Sequence, residues 1–196
     1  AYEVSYNAND WTGDLKAYQL AADGTYANAT PIWSASARMP AFGVRNIFPA
    51  ENPAAGTYTG VPFTVAGMTP ATRSLLQGAL DPTVFVPSQL VDYLRGDNSL
   101  EVAQPACTPS TCMYRKRSTK LGDVLNSTPA VIGVNSFGYS LLDPTIATAA
   151  AVGSYEAYVS SKKAIFGASN NQPIIFVGSN DGMLHAFNAD TMAELF

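Results

Sequence analysis

The sequence has few charged residues and no long apolar run, and each shortage excludes a class of function. Charged residues make up 13% of the 196 residues, about half of the usual share. The 11 lysines and arginines are outnumbered by 15 aspartates and glutamates, and the net charge of -4 gives no general attraction to nucleic acid or anionic lipid. No apolar run approaches the ~20 residues that cross a bilayer. We therefore expect no nucleic-acid partner and no membrane-spanning segment.

Histidine is nearly absent, since His185 is the only one in the chain. A Ser-His-Asp triad or a histidine-rich metal site therefore has little to draw on. We interpret His185 as a partly buried histidine in a strand, bonded to a neighbouring turn. The acidic pair Asp10 and Asp14 flanks a Trp-Thr-Gly turn and is interpreted as turn-stabilising. The sequence predicts no catalytic residue and no metal site.

Cysteine is also scarce, and the two cysteines lie close together. Cys107 and Cys112 enclose four residues, in a polar loop of a chain rich in Ala, Thr, Ser, Asn, Gly and Pro. Such a composition indicates an exported, loop-rich β protein, in which a disulfide between the two is expected to stiffen a surface loop. Zinc is the alternative, but two sulfurs without a nearby histidine are half a site.

A strand–turn–strand pattern is the strongest structural signal that is present. It runs from Ile174 to Phe187, with an apolar β-branched run, a Gly-Ser-Asn-Asp-Gly turn and a returning strand. A similar pattern runs from Tyr2 to Leu20, and we align Gly13 with Gly182. Each copy is followed by a short stretch that ends in an aromatic residue, Ile32-Trp33 in the first and Leu195-Phe196 in the second. This self-similarity is typical of a repeat architecture.

The stretch between the two copies has a different character. Residues 36–69 are rich in proline and glycine and predict irregular structure, with a short strand at Val61–Val65. A helix is expected after Thr69 as N-cap and Pro70. Its apolar stripe consists of Leu75, Leu76, Ala79 and Leu80. A second helix is predicted from Ser88 through Leu94, ending at Gly96.

These pieces fit a β-propeller blade, which has four antiparallel strands. Strands are predicted at 130–134, 173–177 and 183–188 and near Glu194, with an insertion at 135–172. We divide the chain into a partial first blade (1–35), an inter-blade insertion with short helices and the cysteine loop (36–128) and a second blade (129–196). The predicted fold is all-β with a helical insertion, about two blades of an incomplete propeller. We expect a segment of a longer protein, because two blades cannot close a ring and leave sheet faces bare.

Four motifs in order along the chain carry a resemblance to a known family. They are Asp10–Leu15 (DWTGDL), Tyr93–Asp97 (YLRGD), Leu121–Pro129 (LGDVLNSTP) and Asn180–Phe187 (NDGMLHAF). The last resembles the blade signature of quinoprotein-like propellers, and together they resemble the PilY-type family of type IV pilus biogenesis factors and tip adhesins. Met192 departs from the pattern, because a glycine usually stands there, so we expect the turn before the last strand to differ in shape.

The resemblance implies a secreted or surface-displayed protein at the pilus tip or the outer membrane. Family members are linked to pilus extension, twitching motility and attachment, and some bind calcium. The implied partners are minor pilins or other pilus components, a host or abiotic surface and the rest of the same propeller, without covalent chemistry. No cofactor is expected in this segment, because the residues from Asp97 to Glu101 lack the glycine turn and glutamate of a calcium loop. The alternatives are a quinoprotein-like oxidoreductase and a secreted carbohydrate-binding propeller.

Two groups of residues are candidates for binding. Arg95-Gly96-Asp97 is an Arg-Gly-Asp tripeptide that could bind integrins if exposed, although Gly96 is also the expected helix end and Arg95 suits the helix dipole. Arg115-Lys116-Arg117 could meet an acidic pilin face or a phosphate, or simply form a solvated loop. Both alternatives stay open for each group.

Overall fold

The computed structural model describes residues 1–54, 56–81, 86–102, 112–133, 139, 155, 157–158, 160–161 and 173–196. In chain order its strands are β1 (Tyr2–Asn7), β2 (Thr12–Ala17), β3 (Trp33–Ser34), β4 (Ala50–Ala54), β5 (Thr57–Gly60), β6 (Ala130–Ile132), β7 (Ile174–Gly178) and β8 (Leu184–Asn188). Its helices are α1 (Ala35–Arg38), α2 (Pro70–Gln77) and α3 (Pro87–Arg95), with a 3-10 turn at Phe42–Val44.

The strands form three small antiparallel sheets. Their strand orders are β1-β2-β3, β4-β5 and β6-β7-β8, and none closes into a barrel within the described ranges. The helices α1 to α3 all lie between the first and last sheets in the chain. This content agrees with the predicted all-β class with a helical insertion, while the propeller ring and the three domain boundaries stay predictions.

The first and last sheets are built alike. In the first, the Ile32 N–H donates to the Ala17 carbonyl at 2.7 Å, and in the last the Leu195 N–H donates to the Ala186 carbonyl at 2.7 Å. Ala17 lies opposite Tyr2, and Ala186 opposite Phe176. An aromatic pair packs together in each sheet. The ring centroids of Tyr2 and Trp33 are 5.6 Å apart in the first sheet, and those of Phe176 and Phe196 are 6.1 Å apart in the last. The backbone bonds and the ring contacts support the predicted repeat. The strand predicted near Glu194 is wrong, because that stretch forms only an isolated bridge between Glu194 and Phe187.

The two aligned glycines differ in backbone conformation and in their surroundings. Gly13 lies inside β2, and an added Cβ there would come within 2.5 Å of the Gly122 carbonyl. Gly182 instead lies in the β7–β8 turn with φ of 84°. The leucines two positions after the glycines also differ in exposure: Leu15 is buried, whereas Leu184 is 60% exposed. The two hairpins therefore share their strands but not the shape of their turns.

Both helices expected in the insertion are confirmed. Thr69 caps α2 by accepting from the Thr72 N–H, and Pro70 is its first residue. The second, α3, ends at Gly96, whose φ of 111° is the left-handed conformation that glycine adopts without strain.

Two details of the insertion were predicted wrongly. The residues Val61–Val65 form no strand, and the strands of this region are the hairpin β4–β5 just before them. The apolar stripe predicted for α2 is wrong. The helix ends at Gln77, before Ala79 and Leu80, and Leu75 is 83% exposed. Only Leu76 of the stripe packs against buried residues.

One hydrophobic core joins the first and last sheets. It contains buried residues of β2, β3, β7 and β8 together with Leu121 and Val124. A smaller core lies within the insertion around Phe63, Met68 and Val91. Because Met183 of the β7–β8 turn packs against this smaller core, the insertion rests on the last sheet.

Met192 occupies a glycine-like backbone conformation. Its φ is 54°, and its side chain is fully buried in the core shared by the two sheets. The left-handed conformation has a backbone cost of ~1 kcal/mol for methionine, and the side chain contributes core packing. A turn shape different from that of the family pattern stays a prediction.

A short segment, residues 118–124, joins the hairpin turns of the two sheets; we call it the connector. The Gly13 N–H donates to the Leu121 carbonyl at 2.9 Å, and the Asn180 N–H donates to the Asp123 carbonyl at 2.9 Å. Between them, an added Cβ on Gly122 would lie 2.8 Å from the Asp181 Cβ and backbone nitrogen. Only glycine fits, so the Leu-Gly-Asp motif holds the two turns in contact.

Candidate functional site

His185 lies at the centre of a buried network of charged side chains. The strand β8 points it inwards, where it is 1% exposed. Its Nε2 lies 3.0 Å from Asp181 Oδ2, and its Nδ1 lies 3.0 Å from Glu194 Oε1. Carboxylates accept hydrogen bonds, so both ring nitrogens donate, which requires the protonated imidazolium. The predicted bond to a neighbouring turn is confirmed by Asp181, and Glu194 adds a second partner from beyond β8.

Arg45 of the insertion completes the network. Its Nε and Nη2 donate to the two oxygens of Glu194 at 2.8 and 2.6 Å, and both side chains are 1% exposed. The third nitrogen, Nη1, donates to the Arg95 carbonyl at the end of α3. This two-pronged pairing is the strong geometry for arginine and carboxylate. It attaches the insertion to the edge of the last sheet.

Asp181 collects the largest number of donors in the network. It accepts from the Gly122 N–H of the connector at 3.0 Å, from the Met183 N–H at 3.0 Å, from Ser179 Oγ and from His185. Its position in the β7–β8 turn brings the connector, the turn and the histidine to one carboxylate.

The charges in the network shift one another's pKa values. Burial lowers the pKa of His185, but hydrogen bonds to Asp181 and Glu194 outweigh it and raise that pKa above its ordinary value. Burial raises the pKa of Asp181, but His185, Ser179 and the Gly122 N–H lower it to about 2. The pKa of Glu194 is lowered in the same way, against burial, by Arg45 and then His185. Two positive and two negative charges thus stabilise each other.

A cavity of about 480 Å³ opens beside this network, between the insertion and the last sheet. Its walls are mostly apolar and include Phe48, Phe63, Leu76, Leu94, Met183, Leu184 and Phe196. The charged residues that line the cavity already form ion pairs with one another; they are Arg45, Asp181, His185 and Glu194. The arrangement therefore suits the binding of an uncharged apolar group better than proton transfer, because His185 has no ring nitrogen left for a substrate.

A second buried ion pair lies in the insertion and involves one predicted binding residue. Arg117 donates through Nε to Glu101 Oε1 at 2.7 Å and through Nη2 to the Asp97 carbonyl at 3.0 Å. Its guanidinium carbon lies 3.8 Å above the Tyr93 ring. The solvated-loop interpretation is thus wrong for Arg117, whereas Arg115 and Lys116 are exposed. A contact role for these two stays a prediction.

The Arg-Gly-Asp tripeptide is engaged within the chain. Arg95 donates to the carbonyls of Phe63, Phe42 and Arg45 at 3.1 to 3.3 Å. Asp97 accepts from the Ser99 N–H and hydroxyl at 3.1 and 2.7 Å. Gly96 is buried at the end of α3. These contacts support the structural alternative, and a role in adhesion remains a prediction.

The acidic pair of the first hairpin and the described cysteine also have partners within the chain. Asp10 accepts from Thr12 Oγ1 and from the Ser118 N–H, both at 2.7 Å. Asp14 accepts from Ser34 Oγ at 2.7 Å and from the Ser36 N–H at 3.0 Å, so it ties β2 to α1. Cys112 is disulfide-bonded, but Cys107 lies outside the described residues, so the Cys107–Cys112 pairing stays a prediction.

Three members of the buried network were not singled out from the sequence. Asp181 belongs to a turn motif, and Arg45 lies in a stretch predicted as irregular. Glu194 is predicted only as the start of a fourth strand. No local sequence pattern could identify them, because their link is spatial: Arg45 and Glu194 are 149 positions apart. The available signal was the low charge content of the chain. In a chain with so few charged residues, a charged side chain outside the polar loops is a candidate for a buried ion pair.

Comparison with known proteins finds relatives along the whole chain. The chain is 32% identical to "Type IV pilus biogenesis factor PilY1" of Pseudomonas aeruginosa (strain UCBPP-PA14) over 100% of its own length and 16% of that protein. It is 32% identical to "Type IV pilus biogenesis factor PilY1 homolog" of Xylella fastidiosa (strain Temecula1), over 100% of the chain and 13% of the relative. It is 29% identical to "Type IV pilus biogenesis factor PilY1" of P. aeruginosa (strain PAK), over 97% of the chain and 15% of the relative.

The chain therefore spans about a seventh of the length of these relatives. The resemblance carried by the four motifs is confirmed by this identity. No family model matches the chain, and no solved structure matches it significantly. In the described part of the chain, no helix is long and apolar enough to cross a membrane, and no group of three histidine, cysteine or acidic side chains is arranged to hold a metal ion.

Proposed function

From the whole-length homology of this chain to a segment of the PilY1 type IV pilus biogenesis factors, we propose that it serves type IV pilus biogenesis as a non-enzymatic binding and assembly platform. The homology is the observation that carries the proposal, because the matched segment includes every described element. The relatives are named for biogenesis of a structure and not for a reaction.

The platform is formed by two neighbouring blades of a quinoprotein-like propeller. The matching hydrogen bonds of Ala17 and Ala186 and the core shared by the two sheets support this arrangement. The exposed side chains of β6, Val131 and Ile132, are apolar and would be covered by the rest of the same propeller. The insertion lies on the last sheet, clamped by Arg45 and Glu194.

We place the protein at the cell surface, at the pilus tip or in association with the outer membrane. Its partners are minor pilins or other pilus components, and through them it contributes to twitching motility and to attachment to a host or abiotic surface. The apolar cavity beside Met183 and Phe196 gives such a partner a place for an uncharged side chain. The calcium of the wider family is assigned to a portion outside this segment.

A propeller oxidoreductase is the alternative, and it is less well supported. Its cofactor would have to be gathered from several blades around an axis, and the names of the relatives give no reaction. The charges around His185 sum to zero and are paired with one another, which suits a structural role.

Deletion of the gene tests the proposal. We expect the deletion strain to carry fewer surface pili, counted by electron microscopy and by immunoblot of sheared pilin, and to form smaller twitching zones. Complementation with the wild-type gene should restore both. Unaltered piliation in the deletion strain would contradict the pilus role, and a dye-linked dehydrogenase activity in the purified full-length protein would favour the oxidoreductase.

A further inference from the structure

The turn between β1 and β2 carries an exposed tryptophan on a strained backbone. Trp11 has φ of 54° and its side chain is 67% exposed. A bulky residue is rarely found in this left-handed region, where glycine is the residue without strain. The conformation costs folding free energy, and exposure of the indole recovers little of it. An outlier of this kind points to a function for the side chain.

The backbone of Trp11 is held in place from three directions. Its N–H donates to the Asn7 carbonyl at 2.8 Å, and its carbonyl accepts from Arg115 Nη2 at 3.2 Å and from the Asp123 N–H at 3.3 Å. None of these bonds uses the indole, which makes no hydrogen bond within the described residues. The turn is thus fixed by its main chain while the ring is left for a contact.

Trp11 forms one wall of an open groove between the hairpin turns of the two sheets. The groove is lined on its apolar side by Tyr6 and Leu125, which are 57% and 47% exposed. Its polar side has Asn7, Asp123 and Asn180. The Asn180 amide donates to Asp123 Oδ2 at 2.8 Å, which fixes both side chains. The amide oxygen of Asn180 and the other oxygen of Asp123 make no further hydrogen bond within the described residues.

We propose that this groove binds a neutral saccharide, with a sugar ring stacked on Trp11 and its hydroxyls bonded to Asn180 and Asp123. A pyranose has a flat apolar face of C–H groups and an edge of hydroxyl donors. An aromatic wall beside fixed oxygen acceptors matches both. A polypeptide fits less well, because the apolar wall is made of flat rings and one leucine without a deep pocket for a side chain. The inference is independent of the pilus role.

The test uses the purified full-length protein and three β-1,4-linked trisaccharides, of glucose, N-acetylglucosamine and galactose, in saturation-transfer NMR and calorimetric titration. We expect at least one trisaccharide to bind the wild type and Trp11→Gly to weaken that binding tenfold or more. Glycine takes positive φ without strain, so Trp11→Gly should keep or raise the melting temperature. This variant separates loss of binding from loss of folding.

Two further variants sharpen the test. Tyr58→Ala removes another exposed aromatic side chain, 73% exposed on β5, and should leave binding unchanged. Asn180→Asp keeps the side-chain shape but replaces the amide that donates to Asp123 with a second carboxylate. We expect it to weaken trisaccharide binding even though Trp11 is unchanged. The proposal is overturned if no trisaccharide binds at millimolar concentration, or if Trp11→Gly binds like the wild type. Trp11-dependent binding of a tryptic casein digest but of no trisaccharide would replace the sugar with a polypeptide and also overturn it.

Discussion

His185 is held as a cation because a carboxylate faces each of its ring nitrogens in the protein interior. Removing any one partner would leave a buried charge uncompensated, which costs more than the pair contributes when intact. The network is therefore expected to be sensitive to single substitutions at every member. It makes the single histidine of the chain a structural residue.

Glu194→Gln tests this sensitivity at the residue that bridges two cations. The amide keeps the shape but withdraws the negative charge from Arg45 and His185, so we expect a loss of about 3 kcal/mol in the free energy of unfolding. Urea titration followed by circular dichroism measures it. Asp190→Asn removes a charge from an exposed neighbouring residue and should change stability by less than about 0.5 kcal/mol. Equal effects of the two substitutions would contradict the network.

The same network predicts how stability depends on pH. The folded pKa of Asp181 is about 2 and that of Glu194 is lowered, so their contribution is present above the unfolded value of about 4 and is lost as pH falls through the folded values. The pKa of His185 is raised, so its contribution is complete below about pH 6.5 and is lost as pH rises through the folded value.

The contribution of the network should therefore be greatest between about pH 4.5 and 6.5. Urea midpoints measured from pH 2 to pH 9 check this, with His185→Gln as the comparison. The difference in unfolding free energy between wild type and His185→Gln should shrink as pH rises above the histidine's raised pKa. A difference that grows from pH 6 to pH 9 would mean that the imidazole is neutral in the fold.

The sequence located His185 in its strand and beside a turn, because strand periodicity and turn residues are local signals. It gave no sign of Arg45 or Glu194 as partners of the histidine, because their contacts cross the chain. It also suggested a solvated loop for Arg117, since a run of three basic residues gives no information about the Glu101 carboxylate and Tyr93 ring that cover only one of them.

At the scale of elements, close backbone approach explains two glycines better than turn geometry does. Gly13 and Gly122 lie where β2 meets the connector, and neither has space for a Cβ. Gly13 and Gly182 occupy aligned positions but are glycine for different reasons, one for space and the other for a positive φ. Sequence similarity alone does not distinguish these reasons.

Gly122→Ala tests the connector. The new methyl group would come within 2.8 Å of Asp181, so the β7–β8 turn must shift and the bonds to Asp181 must lengthen. We expect a loss of about 1–3 kcal/mol, seen as a lower melting temperature. Gly43→Ala, where nothing lies within 4 Å of the added Cβ, should leave the melting temperature nearly unchanged. A Gly122→Ala protein as stable as wild type would show that the connector is not tightly packed.

The elements with strong local signals were predicted well. Proline at the start and glycine at the end fix α2 and α3, and apolar runs fix β7 and β8. The hairpin β4–β5 was missed because it contains proline and glycine and has few apolar residues. Its position depends on tertiary contacts, including the Thr69 N–H bond to Glu51 at 2.7 Å.

At the scale of the whole molecule, one core unites sheets from opposite ends of the chain. Phe187 and Leu15 are fully buried in it, and the connector adds Leu121. Because the sheets share these contacts, neither can lose its packing without exposing apolar surface of the other. We therefore expect them to unfold together.

Phe187→Ala tests this cooperativity. It should lower the free energy of unfolding by about 3–5 kcal/mol while keeping a single transition by both circular dichroism and tryptophan fluorescence. Leu184→Ala in the same strand removes a side chain that is 60% exposed and should have a small effect. Two separate transitions in the Phe187→Ala protein would indicate that the sheets are independent.

We propose that the two alike sheets are adjacent blades of one propeller in a pilus biogenesis protein. A cryo-EM structure of the full-length protein measures this most directly. We expect the two sheets to lie side by side around one axis and further four-stranded sheets to cover Val131 and Ile132 of β6. Sheets that lie apart, or β6 facing solvent in the full-length protein, would contradict it.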